Sequence, residues 1–303
     1  MRYSEAVKYQ GNSRDWRIAE EKMIRRGSVK GSSTADAGLQ SCDSKIESAR
    51  GGCSVSEGEL ILVNRQYPYR DGGKLELVSV RRGASVLLAR RAAVSLFRLI
   101  GEIDGWNEIT AVSGWRSMEE QQEIWDKSII DDGIEFTKKY VAVPGHSEHQ
   151  TGLAIDLGKT AEHIDFIRPD FPCSGICQTF RRHMAEFGFI ERYPAGKESI
   201  TGISHEPWHF RYVGIPHAEI MAESGMTLEE YHDFVKQYLW GESSLRRKSG
   251  GNACRKTFEI SWLSSEALPA FLKSSRDGIG DSSPVSCKIS GDNVSGFIIT
   301  MEV

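Results

Sequence analysis

Two short stretches constrain this chain more than anything else in it: Ser147-Glu148-His149-Gln150-Thr151-Gly152-Leu153-Ala154-Ile155-Asp156 and, further along, Glu206-Pro207-Trp208-His209. Between them they offer two imidazoles and a carboxylate as metal donors, with a second carboxylate beside the last imidazole. Donors so far apart in sequence form a site only if the fold carries both stretches to one surface. The local patterns say how. Leu153-Ala154-Ile155-Asp156-Leu157 alternates as a strand does, which turns Asp156 to one face while its neighbours enter a core. His149 sits at the mouth of the Gly152 turn that feeds this strand. Glu206 and His209 are three apart, a spacing of one helical turn or of an irregular loop, and Pro207 argues against a helix that includes Glu206. Trp208-His209-Phe210-Arg211-Tyr212-Val213 reads as a second strand, so the two halves are expected to meet on a sheet.

The chemistry follows from the donor types. A catalytic zinc keeps three protein ligands and leaves its fourth position to water, whose pKa falls to ~7 on binding. His149, Asp156 and His209 are the candidate ligands, and Glu206 is the candidate base for the water proton. Either half alone is a common chance pattern; the two together are a far more specific signal.

The surrounding elements place other side chains near this site. Glu59-Leu60-Ile61-Leu62-Val63 is expected as a short strand, and residues 84–103 carry apolar side chains at helical spacing. Ile109-Thr110-Ala111-Val112-Ser113 is another strand, ending at the Gly114-Trp115-Arg116 corner. Ser117-Met118-Glu119-Glu120 has the form of a capping box, so a helix should run from there to about Ile130. Arg116 is thereby set at a strand end just before a helix, with its guanidinium free to face a cleft. Helices mixed with short antiparallel strands make the class α+β.

Over about residues 59 to 240 the chain resembles the zinc D-alanyl-D-alanine peptidases of the VanY, VanX and VanXY type, which share a fold with the hedgehog signalling domain. The resemblance is carried by Ser-x-His-x-x-Gly-x-Ala-x-Asp at 147–156, by Ser113-Gly114-Trp115-Arg116-Ser117, and by the run from Gly202 to Gly214 that contains Glu206-Pro207-Trp208-His209. It implies a small antiparallel sheet with flanking helices, one zinc ion per chain, and cleavage of the terminal D-Ala from peptidoglycan precursor peptides ending in D-Ala-D-Ala, in glycopeptide resistance or cell-wall remodelling. It further implies that Arg116 stabilises the oxyanion, that Ser147 donates to the substrate's terminal carboxylate, and that Gln121, matching the family's Gln on the helix after the Arg, binds substrate. Trp115 stands where the family more usually has Tyr, which removes any hydroxyl contact there and leaves the Arg intact. A D,D-dipeptidase, an L,D-carboxypeptidase on tetrapeptide stems, and a binding protein that keeps the metal without turnover are the alternatives. Intact Glu206 and Arg116 argue against the last.

Length and composition bound the rest. A chain of 303 residues exceeds one ordinary domain of ~100–200 residues. Residues 1–55 read as a flexible tail, 56–240 as the catalytic domain, 241–256 as a polar, basic linker, and 257–303 as a small β-rich module with strands near 257–263, 287–293 and 294–301. A net charge of −4 gives no reason to expect nucleic acid. No apolar run reaches the ~18 residues of a membrane helix, and none near Met1 suits a signal peptide. The expectation is a soluble cytoplasmic protein like the VanXY kind, or an extracytoplasmic one if an anchor is missing. Cys173-x3-Cys177 lacks a second donor pair for a structural zinc, a Cys254–Cys287 disulfide has no support beyond position, and the six cysteines are read as incidental thiols.

Overall fold

The computed structural model describes residues 53–70, 75–250, 255–277 and 286–303. The tail expected over 1–55 lies outside these residues except for its last three, as do Cys42 and Cys254.

The chain enters the described fold as a buried strap. Leu60, Ile61, Leu62 and Val63 are all buried, yet they form no strand. Their backbone is held by distant groups instead: Leu62 N–H donates to Asp292 O at 3.2 Å, and Ser290 Oγ accepts from Leu60 N–H at 2.9 Å. An apolar run bounded by turns signals burial as readily as pairing, and here only the burial is realised. A short hairpin of β1 (Leu77–Ser79) and β2 (Leu87–Ala89) follows. The helical pattern over 84–103 therefore begins later than its first apolar residues. Helix α1 (Arg90–Glu102) buries Ala92, Ala93, Leu96, Leu99 and Ile100, one stripe at helical spacing.

The sheet that carries the candidate ligands is antiparallel, in the order β3-β4-β6-β5. Its strands are β3 (Ile109–Ser113), β4 (Ala154–Lys159), β5 (Phe189–Glu191) and β6 (His209–Tyr212). Between β3 and β4 run α2 (Met118–Asp132) and α3 (Ile134–Tyr140). The capping box at Ser117 and Glu120 is present, with the Ser117 hydroxyl accepting from Glu120 N–H and the Glu120 carboxylate from Ser117 N–H, which satisfies two of the donors a helix start leaves open. Helix α4 (Gly175–His183) precedes β5, α5 (Glu198–Thr201) follows it, and α6 (His217–Ser224) and α7 (Leu228–Val235) follow β6.

A second antiparallel sheet, in the order β7-β8-β10-β9, closes the chain. It comprises β7 (Leu245–Ser249), β8 (Lys256–Ser264), β9 (Ser286–Gly291) and β10 (Gly296–Glu302), with α8 (Leu268–Asp277) between β8 and β9. The stretch expected as a linker thus contributes an edge strand: Leu245 to Ser249 pair with Ile260 to Lys256. Its basic side chains masked the pattern, because an edge strand tolerates charge that an inner strand would not. Ile260 and Ile298 of this sheet pack in one core cluster with Leu60, Leu62, Val213, Met221 and Tyr231.

Candidate metal centre

Register brings the two motifs together. Asp156 on β4 is the cross-strand partner of His209 on β6 and of Ser113 on β3, so the strand ends converge at one point. His149 reaches the same point from a single 3-10 turn over Glu148–Thr151 that ends at Gly152 in the left-handed conformation, φ 69°. A side chain at Gly152 would approach the Ala89 backbone nitrogen to 3.0 Å, so this turn requires glycine. Glu206 is set by a tight turn in which its N–H donates to Tyr193 O and its carbonyl accepts from His209 N–H. Arg181 holds the turn from behind by donating to Pro207 O at 2.7 Å. Pro207 does exclude a helix here, and a loop carries the Glu206–His209 spacing.

His149, Asp156 and His209 are all buried, and one donor atom from each lies within 4.8 Å of the others. His149 Nδ1 is 2.6 Å from Gly114 O, an acceptor only, so Nδ1 carries the proton and Nε2 keeps a lone pair. That Nε2 is 3.2 Å from Asp156 Oδ2, while His209 Nδ1 is 2.9 Å from Asp156 Oδ1. Two imidazoles and one carboxylate, gathered around a small shared space with an open side, fit a divalent cation of zinc's ligand preference. Among the described residues no other group of this kind occurs.

An open cleft lies over this cluster, with Arg116, Gln121, Ser147, Tyr193, Glu206 and Trp208 in its walls. Glu206 Oε2 lies 3.9 Å from His209 Nδ1. Burial raises the Glu206 carboxyl to about 8, against the opposing pull of His209 and Arg116. For His209 burial acts the other way, but Asp156, bonded to Nδ1, and the Glu148 carboxylate facing Nε2 outweigh it and lift the imidazole to about 9. Asp156 resists burial through the two imidazoles and stays far below the usual carboxylate range. One carboxylate is thus held as an anion while burial raises the proton affinity of its neighbour, so the environment pushes the two groups apart.

Arg116 donates from Nη2 to Asp156 Oδ2 at 2.8 Å and from Nε to Ser113 Oγ at 2.8 Å. Gln121 is buried; its Oε1 accepts from Arg116 Nη1 at 3.3 Å, and its Nε2 donates to Ala142 O at 2.9 Å. Ser147 is buried in the cleft wall. His146 and His205 stand outside the cluster, bonded to Asn64 O and facing Glu191. Reading the motif residue by residue missed Tyr193, whose ring lies 4.9 Å from that of His209, and Glu148, which pairs with Arg192 and Arg211. A carboxylate inside the motif was the visible signal for Glu148; its partners are too distant in sequence to be matched to it by spacing.

Comparison with known proteins agrees with this geometry. Residues 87–215 match the family model of VanY, D-alanyl-D-alanine carboxypeptidase. The bifunctional D-Ala-D-Ala dipeptidase and D-Ala-D-Ala carboxypeptidase VanXYC of Enterococcus gallinarum is 41% identical over 181 residues, 59% of this chain and 95% of that protein. The solved structure of the vancomycin-resistance D,D-dipeptidase VanXYg, in complex with a D-Ala-D-Ala phosphinate analogue, is 45% identical with a TM-score of 0.73, over 82% of this chain and 95% of that one. The LD-carboxypeptidase LdcB is similar at 34% identity and a TM-score of 0.52, over 60% and 88%.

Proposed function

Since this chain belongs to the VanY-type D-alanyl-D-alanine carboxypeptidase family, we propose that it is a zinc peptidase that removes the terminal D-Ala from peptidoglycan precursor peptides ending in D-Ala-D-Ala. The observation that carries this reading is the convergence of His149, Asp156 and His209 within 4.8 Å in a cleft that also holds Glu206 and Arg116. Zinc bound by the three side chains supplies Lewis acidity toward a carbonyl and toward water. Glu206, raised toward neutrality by burial, takes the proton of the attacking water and returns it to the leaving amine. Arg116, fixed by Asp156, Ser113 and Gln121, presents positive charge to the tetrahedral oxyanion. Ser147 and the second N–H of the Gln121 amide receive the substrate's terminal carboxylate. The role is glycopeptide resistance or cell-wall remodelling.

Pentapeptide is favoured over free dipeptide. A dipeptidase needs an acidic group to clamp the substrate's ammonium, and the loop between β4 and α4 brings Phe166 and Ile167 to the site, with Phe166 over the Arg116 guanidinium. Free thiols at exposed Cys173 and buried Cys177 suit a reducing compartment, and the cytoplasm is the one proposed. No helix among the described residues is long and apolar enough to cross a membrane. The deciding experiment incubates zinc-loaded protein with D-Ala-D-Ala, a pentapeptide precursor and a tetrapeptide, and compares kcat/KM for alanine release. The pentapeptide should lead; a clear preference for free D-Ala-D-Ala would reassign the substrate, and release only from the tetrapeptide would reassign the bond.

A further inference from the structure

We propose that Glu148 is a positioning residue for the metal ligand His209: its inward carboxylate oxygen accepts a hydrogen bond from His209 Nε2–H and thereby holds Nδ1 toward the metal. The inference rests on the metal-site reading above and concerns a residue outside its donor set.

Glu148 has a fully buried side chain. One of its oxygens, Oε1, accepts from Arg192 Nε and from Arg211 Nη1, each at 2.8 Å. The other, Oε2, is buried without a hydrogen-bond partner and stands 3.6 Å from His209 Nε2, which is likewise buried and unpartnered. Leaving such a group unpaired is costly, and here two complementary ones face each other just outside bonding range. Their pairing depends on where the imidazole proton sits. In the described geometry Nδ1 is turned to Asp156 Oδ1. A cation shared by His149, Asp156 and His209 takes the Nδ1 lone pair, which puts the proton of a neutral ring on Nε2. Nε2–H then points at Glu148 Oε2. The other imidazole has the same arrangement with its nitrogens exchanged, since His149 Nδ1 is bonded to Gly114 O. Metal-bound histidines characteristically donate their second N–H to a carbonyl or carboxylate.

The two arginines keep this oxygen in place. Arg192 is clamped by two bonds to Glu229, at 2.9 and 2.7 Å. Arg211 is tied to the carbonyls of Glu59, Ile61 and Tyr212. Both charges hold the carboxylate ionised and fix its plane, so it acts as a rigid acceptor.

The test uses the full chain, histidine-labelled with 15N and loaded with zinc. Long-range proton–nitrogen spectra should show His209 protonated on Nε2 with a slowly exchanging proton. Glu148→Gln, checked for fold by circular dichroism, should weaken zinc binding in chelator competition by ~10–100-fold. A His209 proton on Nδ1 in the zinc-loaded protein, or undiminished zinc affinity in the folded variant, would overturn the proposal. Should the variant not fold, the wild-type spectrum decides alone. A wild-type chain that binds no zinc would remove the metal reading itself, an outcome distinct from either.

Discussion

Asp156 and Glu206 are carboxylates of one site whose proton affinities are pushed in opposite directions, and single substitutions test the separate tasks proposed for them. Asp156, bonded to both imidazoles and to Arg116, can serve only as an anion. Replacing it, His149 or His209 with Ala should abolish the single bound zinc measured by metal analysis, and activity with it. Activity that survives both metal loss and chelation would refute the site. Glu206 is outside the donor set, so Glu206→Gln should keep the zinc while turnover falls ~100-fold or more, the scale of general base catalysis. An unimpaired Gln variant would pass the proton to another group. At this scale the sequence spoke plainly about residues whose chemistry demands a type and a spacing. It was silent about the layer beneath, because Arg192 and Arg211 are 44 and 63 residues from the Glu148 they neutralise and carry no pattern that marks them as buried.

Strands and helices were legible where one face is buried and opaque where the context is unusual. The regular alternation of 153–157 gave β4, and the capping box gave the start of α2. The strap at Leu60 to Val63 and the basic edge strand β7 were misread for opposite reasons: the first is apolar but pairs with loops, the second is paired but faces solvent along one edge. Helices α6 and α7 carry a testable electrostatic consequence. Burial depresses His217 to about 3 and His232 to about 4, against ~6.5 in an unfolded chain. Above that value both are neutral in either state and cost nothing. As pH falls from about 6.5 the unfolded chain takes up protons that the fold refuses, so stability declines until the folded groups themselves titrate. Urea midpoints should therefore drop between pH 7 and pH 5. His217→Gln, which retains partners for Tyr231 and Thr300, should flatten that slope by up to ~1.4 kcal/mol per pH unit. Midpoints that do not move with pH would contradict it.

Taken as a whole, the described chain is less divisible than its composition suggests. Ile260 and Ile298 are fully or almost fully buried against side chains of the catalytic sheet and of α6 and α7, and a large-to-small change at such a site costs about 2–5 kcal/mol. Ending the chain at Trp240 removes both, along with the Asp292 and Asn293 bonds to the strap, from a fold whose total stability is of order 5–15 kcal/mol. The truncated protein should be insoluble or melt well below the full chain; equal melting temperatures would make the second sheet an independent appendage. The strap also gives the molecule an order of assembly. Asn293 Nδ2 donates to Leu62 O from 231 residues away in sequence, and to Pro68 O, while Tyr69 N–H and Asn64 O bond Gly145 and His146 beside the metal loop. During synthesis the ligands on β4 and β6 emerge well before the hairpin that fastens this strap. The loop carrying His149 therefore lacks its final support until Asn293 has left the ribosome, and a chain stalled short of that residue would carry all three candidate metal ligands and still be unfinished.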